Sequence, residues 1–147
     1  SRCLVGSEMC IRDSNMIFDP ITHEVKAILD WELSTLGNPI ADFTYHMMSW
    51  RLPAGAKGLG MMGSDLKSLN IPSESEYAEL YYKKTGREKI DNWDFYMAYN
   101  IFRLAGIAQG IVGRVRDGTA SSSEAKNYEA FVPILGKLGW SIVEGIN

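Results

Sequence analysis

The segment from Trp93 to Val112 constrains this chain most, because it is the most apolar stretch and yet is interrupted by Asp94, Asn100, Arg103 and Gln109. A membrane span would not carry those breaks, so the segment reads as a buried helix of a soluble domain. Asp91 or Asn92 can cap it, and its apolar positions surround it on nearly all sides, which predicts the central helix of a helical lobe. Flanking segments supply helices to pack on it. Ser73-Glu-Ser-Glu76 is a capping-box pattern, opening a helix with Tyr77, Leu80 and Tyr81 on its apolar side and stopping at Gly86. A last helix runs from about Ser123, with Tyr128, Phe131, Leu135, Leu138 and Ile142 at helical spacing and Pro133 as a kink. Pro39 begins another, running to Trp50. After it, Pro53, Gly55, Gly58, Gly60 and Gly63 mark a long flexible loop, either a cover for a substrate site or an ordinary surface connection.

The 147 residues, 46% hydrophobic and 22% charged, suffice for one core and are too mixed for disorder. A net charge of -3 with no basic stripe argues against nucleic acid as a partner, and Lys83-Lys84 reads as a solvated helix end. Only Cys3 and Cys10 are cysteines, so neither a disulfide framework nor a thiolate metal site is implied. With no signal peptide and no membrane span, a cytoplasmic location is expected, an organelle being the alternative because the true N-terminus is expected to be missing.

One stretch breaks the helical pattern. Met16 to Phe18 and Val25 to Leu29 are short apolar runs separated by Asp19-Pro-Ile-Thr-His23, which has turn chemistry, so the stretch predicts a β-hairpin. Asn15 precedes its first strand and Asp30 follows its second, both at one end. Two readings stand side by side for this pair. An Asn and an Asp at strand ends serve as turn former and cap. The same two oxygen donors also suit the magnesium ions that bridge ATP phosphates in phosphoryl transfer.

From Asn15 onward the chain resembles the aminoglycoside phosphotransferase/choline kinase-like family, closest to the kinase-like domains associated with acyl-CoA dehydrogenases. The family pattern is a His-Gly-Asp-x-x-x-x-Asn loop, a hairpin, an Asp in an Ile-Asp-Trp-Glu context, Gly-Asp/Asn-Pro and a further Asp. Here these are Asn15, Leu29-Asp30-Trp31-Glu32, Leu36-Gly37-Asn38-Pro39 and Ala41-Asp42. Phe102-Arg103-Leu-Ala105, Gln109-Gly110 and Gly118-Thr-Ala-Ser-Ser122 resemble the later signature of the dehydrogenase-associated subgroup.

The resemblance implies an α+β, protein kinase-like fold, represented here by the mostly helical C-terminal lobe with its small hairpin over residues 15–147, the N-terminal lobe being absent. It implies ATP and Mg as cofactors and transfer of the γ-phosphoryl group to a hydroxyl of a small molecule, a hydroxyacyl thioester ranking above an aminoglycoside. Neither nucleic acid nor membrane is an implied partner; fusion to or association with an acyl-CoA dehydrogenase is. Asn15 and Asp30 would hold metal, Asp42 would brace the catalytic loop, and Arg103 would face the acceptor. Each of the last two has a plain alternative. Asp42 could simply favour the positive end of a helix dipole, and Arg103 could be a paired structural cation. Glu32 either orients Asp30 or is solvated, and His23 and His46 read as surface or core histidines rather than zinc ligands.

The pattern fails at the catalytic base. Its Asp should fall at Cys10, with the loop's His and Gly at Glu8 and Met9. Loss of a positioned base removes on the order of 10²- to 10⁴-fold in rate, so the chain as given is expected to be inactive. Residues 3–14 resemble translated adapter sequence, and residues 1–14 are therefore expected to be non-native. The alternative is a natural pseudokinase, a non-catalytic nucleotide-binding or regulatory module.

Overall fold

The computed structural model describes residues 16–29, 37–54, 60–119 and 127–145. Two compact units divide the chain at Met47. The first holds strands β1 (Met16–Phe18) and β2 (Val25–Ile28) and helix α1 (Pro39–Met47); the second holds α2 (Glu74–Thr85), α3 (Trp93–Arg116) and α4 (Tyr128–Glu144).

β1 and β2 pair antiparallel, Met16 opposite Ile28 and Phe18 opposite Val25, with a bulge after Ile17. Their turn closes where Asp19 predicted it. The Asp19 Oδ1 accepts hydrogen bonds from the Ile21 and Thr22 amides at 2.8 and 2.9 Å, and His23 takes the left-handed conformation at φ 58°. Those amide bonds, chiefly the one from Thr22, hold the Asp19 carboxyl below its ordinary pKa of 3.8. Asp19 is thus committed to the turn.

In the second unit, α2 begins with the capping box expected from Ser73 and Glu76 and ends at Gly86, whose φ of 67° is the left-handed stop that glycine accepts without strain. Its packing differs from the expectation in one respect. Ala78 is the buried residue, while Leu80 is about half exposed. The core lies between α3 and α4, where Met97, Ile101, Leu104, Ala108 and Val112 are buried on one helix and Phe131, Leu135 and Gly139 on the other. Gly139 faces Ile101, and a Cβ there would make an ordinary van der Waals contact at 3.4 Å with Ile101 Cγ2. Two expectations for α3 are corrected. Asn92 precedes it but makes no side-chain cap, and the helix is not enclosed, because Phe95, Tyr99, Phe102 and Ile107 are exposed. An apolar residue can satisfy the periodicity of either face, so pattern alone did not separate them. α4 begins at Tyr128 and continues through Pro133, and its expected start at Ser123 lies outside the described residues.

The loop after Pro53 is fastened at both ends. The Met61 amide donates to Ser49 O at 2.8 Å, that of Met62 to Leu52 O at 2.9 Å, and that of Ala54 to Met62 O at 3.2 Å. Its tip, 55–59, lies outside the described residues.

A polar junction that the sequence did not reveal joins the helix starts. The Arg51 Nε and Nη2 both donate to Glu74, the latter at 2.7 Å, and Nη1 donates to Asp94. Trp93 Nε1 donates to Glu74 Oε1 at 2.7 Å, and Trp50 Nε1 donates to Pro72 O at 2.9 Å. Burial acts to lower the Arg51 pKa, but hydrogen bonds to Glu74 and Asp94 reverse it and leave it raised. Glu74 and Asp94 sit in the first turns of α2 and α3, where carboxylates are ordinary dipole partners. Nothing local shows that they share one arginine. Arg51→Ala is expected to cost about 2 kcal/mol, between the values for exposed and buried pairs, and Arg51→Lys most of that because one ammonium cannot span both carboxylates. Urea denaturation of the three proteins measures it.

Candidate functional site

The open end of the hairpin is where Met16 pairs with Ile28. From it the chain leads directly to Asn15 on one side and through Leu29 to Asp30 on the other. Asn15, Asp30, Glu32 and the position of the absent base, Cys10, lie outside the described residues. Among the described residues no group of three His, Cys, Asp or Glu side chains could hold a metal ion. An amide oxygen with a carboxylate is a hard donor set that fits magnesium better than zinc.

Asn38 and Pro39 set the start of α1. The Asn38 Oδ1 accepts from the Ile40 amide at 2.9 Å, and the Ala41 amide donates to Asn38 O at 3.1 Å, so the Gly37-Asn38-Pro39 motif is a cap followed by a pre-set first helical residue. One turn in, Asp42 is 3% exposed. A helix dipole contributes at most about 2 kcal/mol to a nearby carboxylate, whereas burying an ion costs several. The dipole alone therefore does not account for this burial, and Asp42 does have an interaction partner.

His46 lies in the last turn of α1, and burial lowers its pKa from the ordinary 6.5. The sign follows from linkage. The unfolded chain binds the proton more readily, so stability is full above pH 6.5 and declines as pH falls from there toward the lowered folded value. His46→Gln is expected to flatten that decline; urea midpoints for the two proteins on either side of pH 6.5 measure it.

Arg103 lies on α3, half-buried, next to the exposed Phe102 and before the buried Leu104. It too has an interaction partner. Asp42 and Arg103 fall in different compact units. No described helix is long and apolar enough to cross a membrane.

The described residues, helix-rich with a small two-stranded antiparallel hairpin, fit a kinase-like phosphotransferase fold, and comparison with known proteins agrees. Residues 11–80 match the model of the phosphotransferase enzyme family. The chain belongs to that family. A crystal structure from Ralstonia eutropha, assigned as an aminoglycoside phosphotransferase, superposes with a TM-score of 0.86 at 43% identity, covering 97% of this chain and 42% of that one. Acyl-CoA dehydrogenase family member 10 of Mus musculus is 42% identical over 130 residues, 88% of this chain and 12% of its own. Acyl-CoA dehydrogenase family member 11 of Homo sapiens is 34% identical over 129 residues, 87% of this chain and 16% of its own. The chain thus spans less than a fifth of these curated relatives.

Proposed function

We propose that the intact protein is an ATP- and Mg-dependent phosphotransferase that moves the γ-phosphoryl group to a hydroxyl of a small molecule. The observation that carries this reading is the family match over residues 11–80, which takes in Asn15, Asp30 and Asp42 together. In it, Asn15 and Asp30 hold magnesium, which when bound neutralises charge on the phosphate oxygens. Asp42 braces the loop that carries the base. Arg103 faces the acceptor. A hydroxyacyl thioester is the favoured acceptor class, because the Phe102 to Ser122 signature belongs with relatives named as acyl-CoA dehydrogenase family members. Fusion to or association with such a dehydrogenase is part of the same reading. The test is ADP release by the full-length protein with hydroxylated acyl thioesters, and its loss on adding EDTA. Full activity in EDTA overturns the reading.

Cys10 at the place of the base supports a second reading, a lobe that binds nucleotide without transferring phosphate. The two differ over residues 1–14. Reading the source DNA upstream of the Asn15 codon separates them: His-Gly-Asp and four further codons before Asn15 fit a kinase, whereas the given codons fit a non-catalytic module.

A further inference from the structure

On α3, the exposed aromatic residues and the glycines share one face. At 3.6 residues per turn, Phe95, Tyr99, Phe102, Gly106, Gly110 and Gly113 fall within an arc of about 100°, opposite the face that Met97, Leu104 and Ala108 bury. Phe102 is 76% exposed, and a Cβ at any of the three glycines would meet nothing within 4 Å. The bulky residues occupy the first half of the stripe and the empty positions the second. We propose that this face pairs with a second copy of the chain, two α3 helices packing antiparallel about a two-fold axis at Gly106.

The argument is self-complementarity, which a two-fold interface requires. Crossing at Gly106 sets Phe102 opposite Gly110 of the second copy and Tyr99 opposite its Gly113, so each ring meets a position with no side chain. Phe102 and Tyr99 then each have a depression to fill, in both directions, while Phe95 falls opposite the Asp117 helix end. Charge agrees with the same register. Asp94 at the start of α3 and Arg116 at its end lie on one flank of the stripe, and both side chains stay at least half exposed although Asp94 also pairs with Arg51 and Arg116 lies 3.8 Å from Glu129. A parallel pairing would bring like charges together; the antiparallel one brings Asp94 within a turn of Arg116 of the second copy. Contact along one helix covers less than the about 800 Å² per partner of a standard interface, so the dimer is expected to be weak, with a Kd on the order of 10 µM.

Sedimentation velocity of the complete chain over two decades of concentration around about 10 µM tests this. The expected result is a reversible shift from one chain to two. Phe102→Glu removes the most exposed ring and should raise the Kd at least about tenfold. Gly110→Leu fills the depression facing it and should raise the Kd similarly, while its thermal stability at low concentration holds or rises, since leucine is the better helix former and nothing lies in its way. A monomer at every concentration overturns the proposal and leaves the face to a segment outside this chain. Self-association that survives both substitutions overturns it as well.

Discussion

Asp30→Ala in the full-length protein is expected to lower Mg-dependent ATP turnover at least about 10²-fold, the scale on which losing one preorganised electrostatic partner of a transition state is felt. Asp30 should matter more than Asn15, because a carboxylate brings a full charge to the metal and an amide oxygen only a dipole. Two further variants make the expectation specific. Asp30→Asn keeps the size and one oxygen, so its residual activity should recover in part at high magnesium. Asn15→Ala should be the milder loss. Steady-state ADP release at several magnesium concentrations measures all three. Turnover unchanged in Asp30→Ala would reduce the hairpin end to a turn former and a strand cap.

Gly60→Ala is expected to have the largest effect on stability, about 3 kcal/mol, or about 10 °C in the melting temperature for a chain of this size. A Cβ at Gly60 would overlap the carbonyl oxygens of Pro53 and Leu52, and these are backbone atoms that cannot rotate aside. The returning segment would have to lift, opening the bonds from Met61 to Ser49 and from Met62 to Leu52 beside the fully buried Leu52 side chain. Gly63→Ala is the internal comparison. Its φ is 88° but nothing lies within 4 Å, so only the left-handed penalty of about 1–2 kcal/mol applies. Thermal unfolding of both variants measures the difference. Equal losses would mean that backbone conformation, not overlap, fixes this segment as glycine.

What the sequence made legible was local. Asp19 and His23 close the hairpin, Pro39 opens α1, and Ser73, Glu76 and Gly86 bound α2, because in each case neighbouring residues supply the hydrogen bonds or the dihedral angle themselves. What failed depended on partners distant in sequence. The apolar periodicity of α3 fits two faces equally, and only the packing of α4 selects the one carrying Ile101. Leu80 looked like a core residue by spacing, yet the shorter Ala78 occupies the buried position. The Arg51 junction left no pattern, since its carboxylates lie 23 and 43 residues further along. For the candidate site, the pairing of Asn15 with Asp30 and the role of Asp42 came from family resemblance. The structure describes the hairpin register and the burial of Asp42, while Asn15 and Asp30 lie outside the described residues.

The most direct test of the central claim is ³¹P NMR of the full-length protein incubated with ATP, magnesium and a hydroxyacyl thioester. Production of ADP together with a new phosphate monoester resonance on the acceptor, absent without magnesium, is the predicted result. ATP that binds but stays unconverted with every hydroxylated acceptor, in a protein whose His-Gly-Asp loop is intact, would contradict the phosphotransferase account.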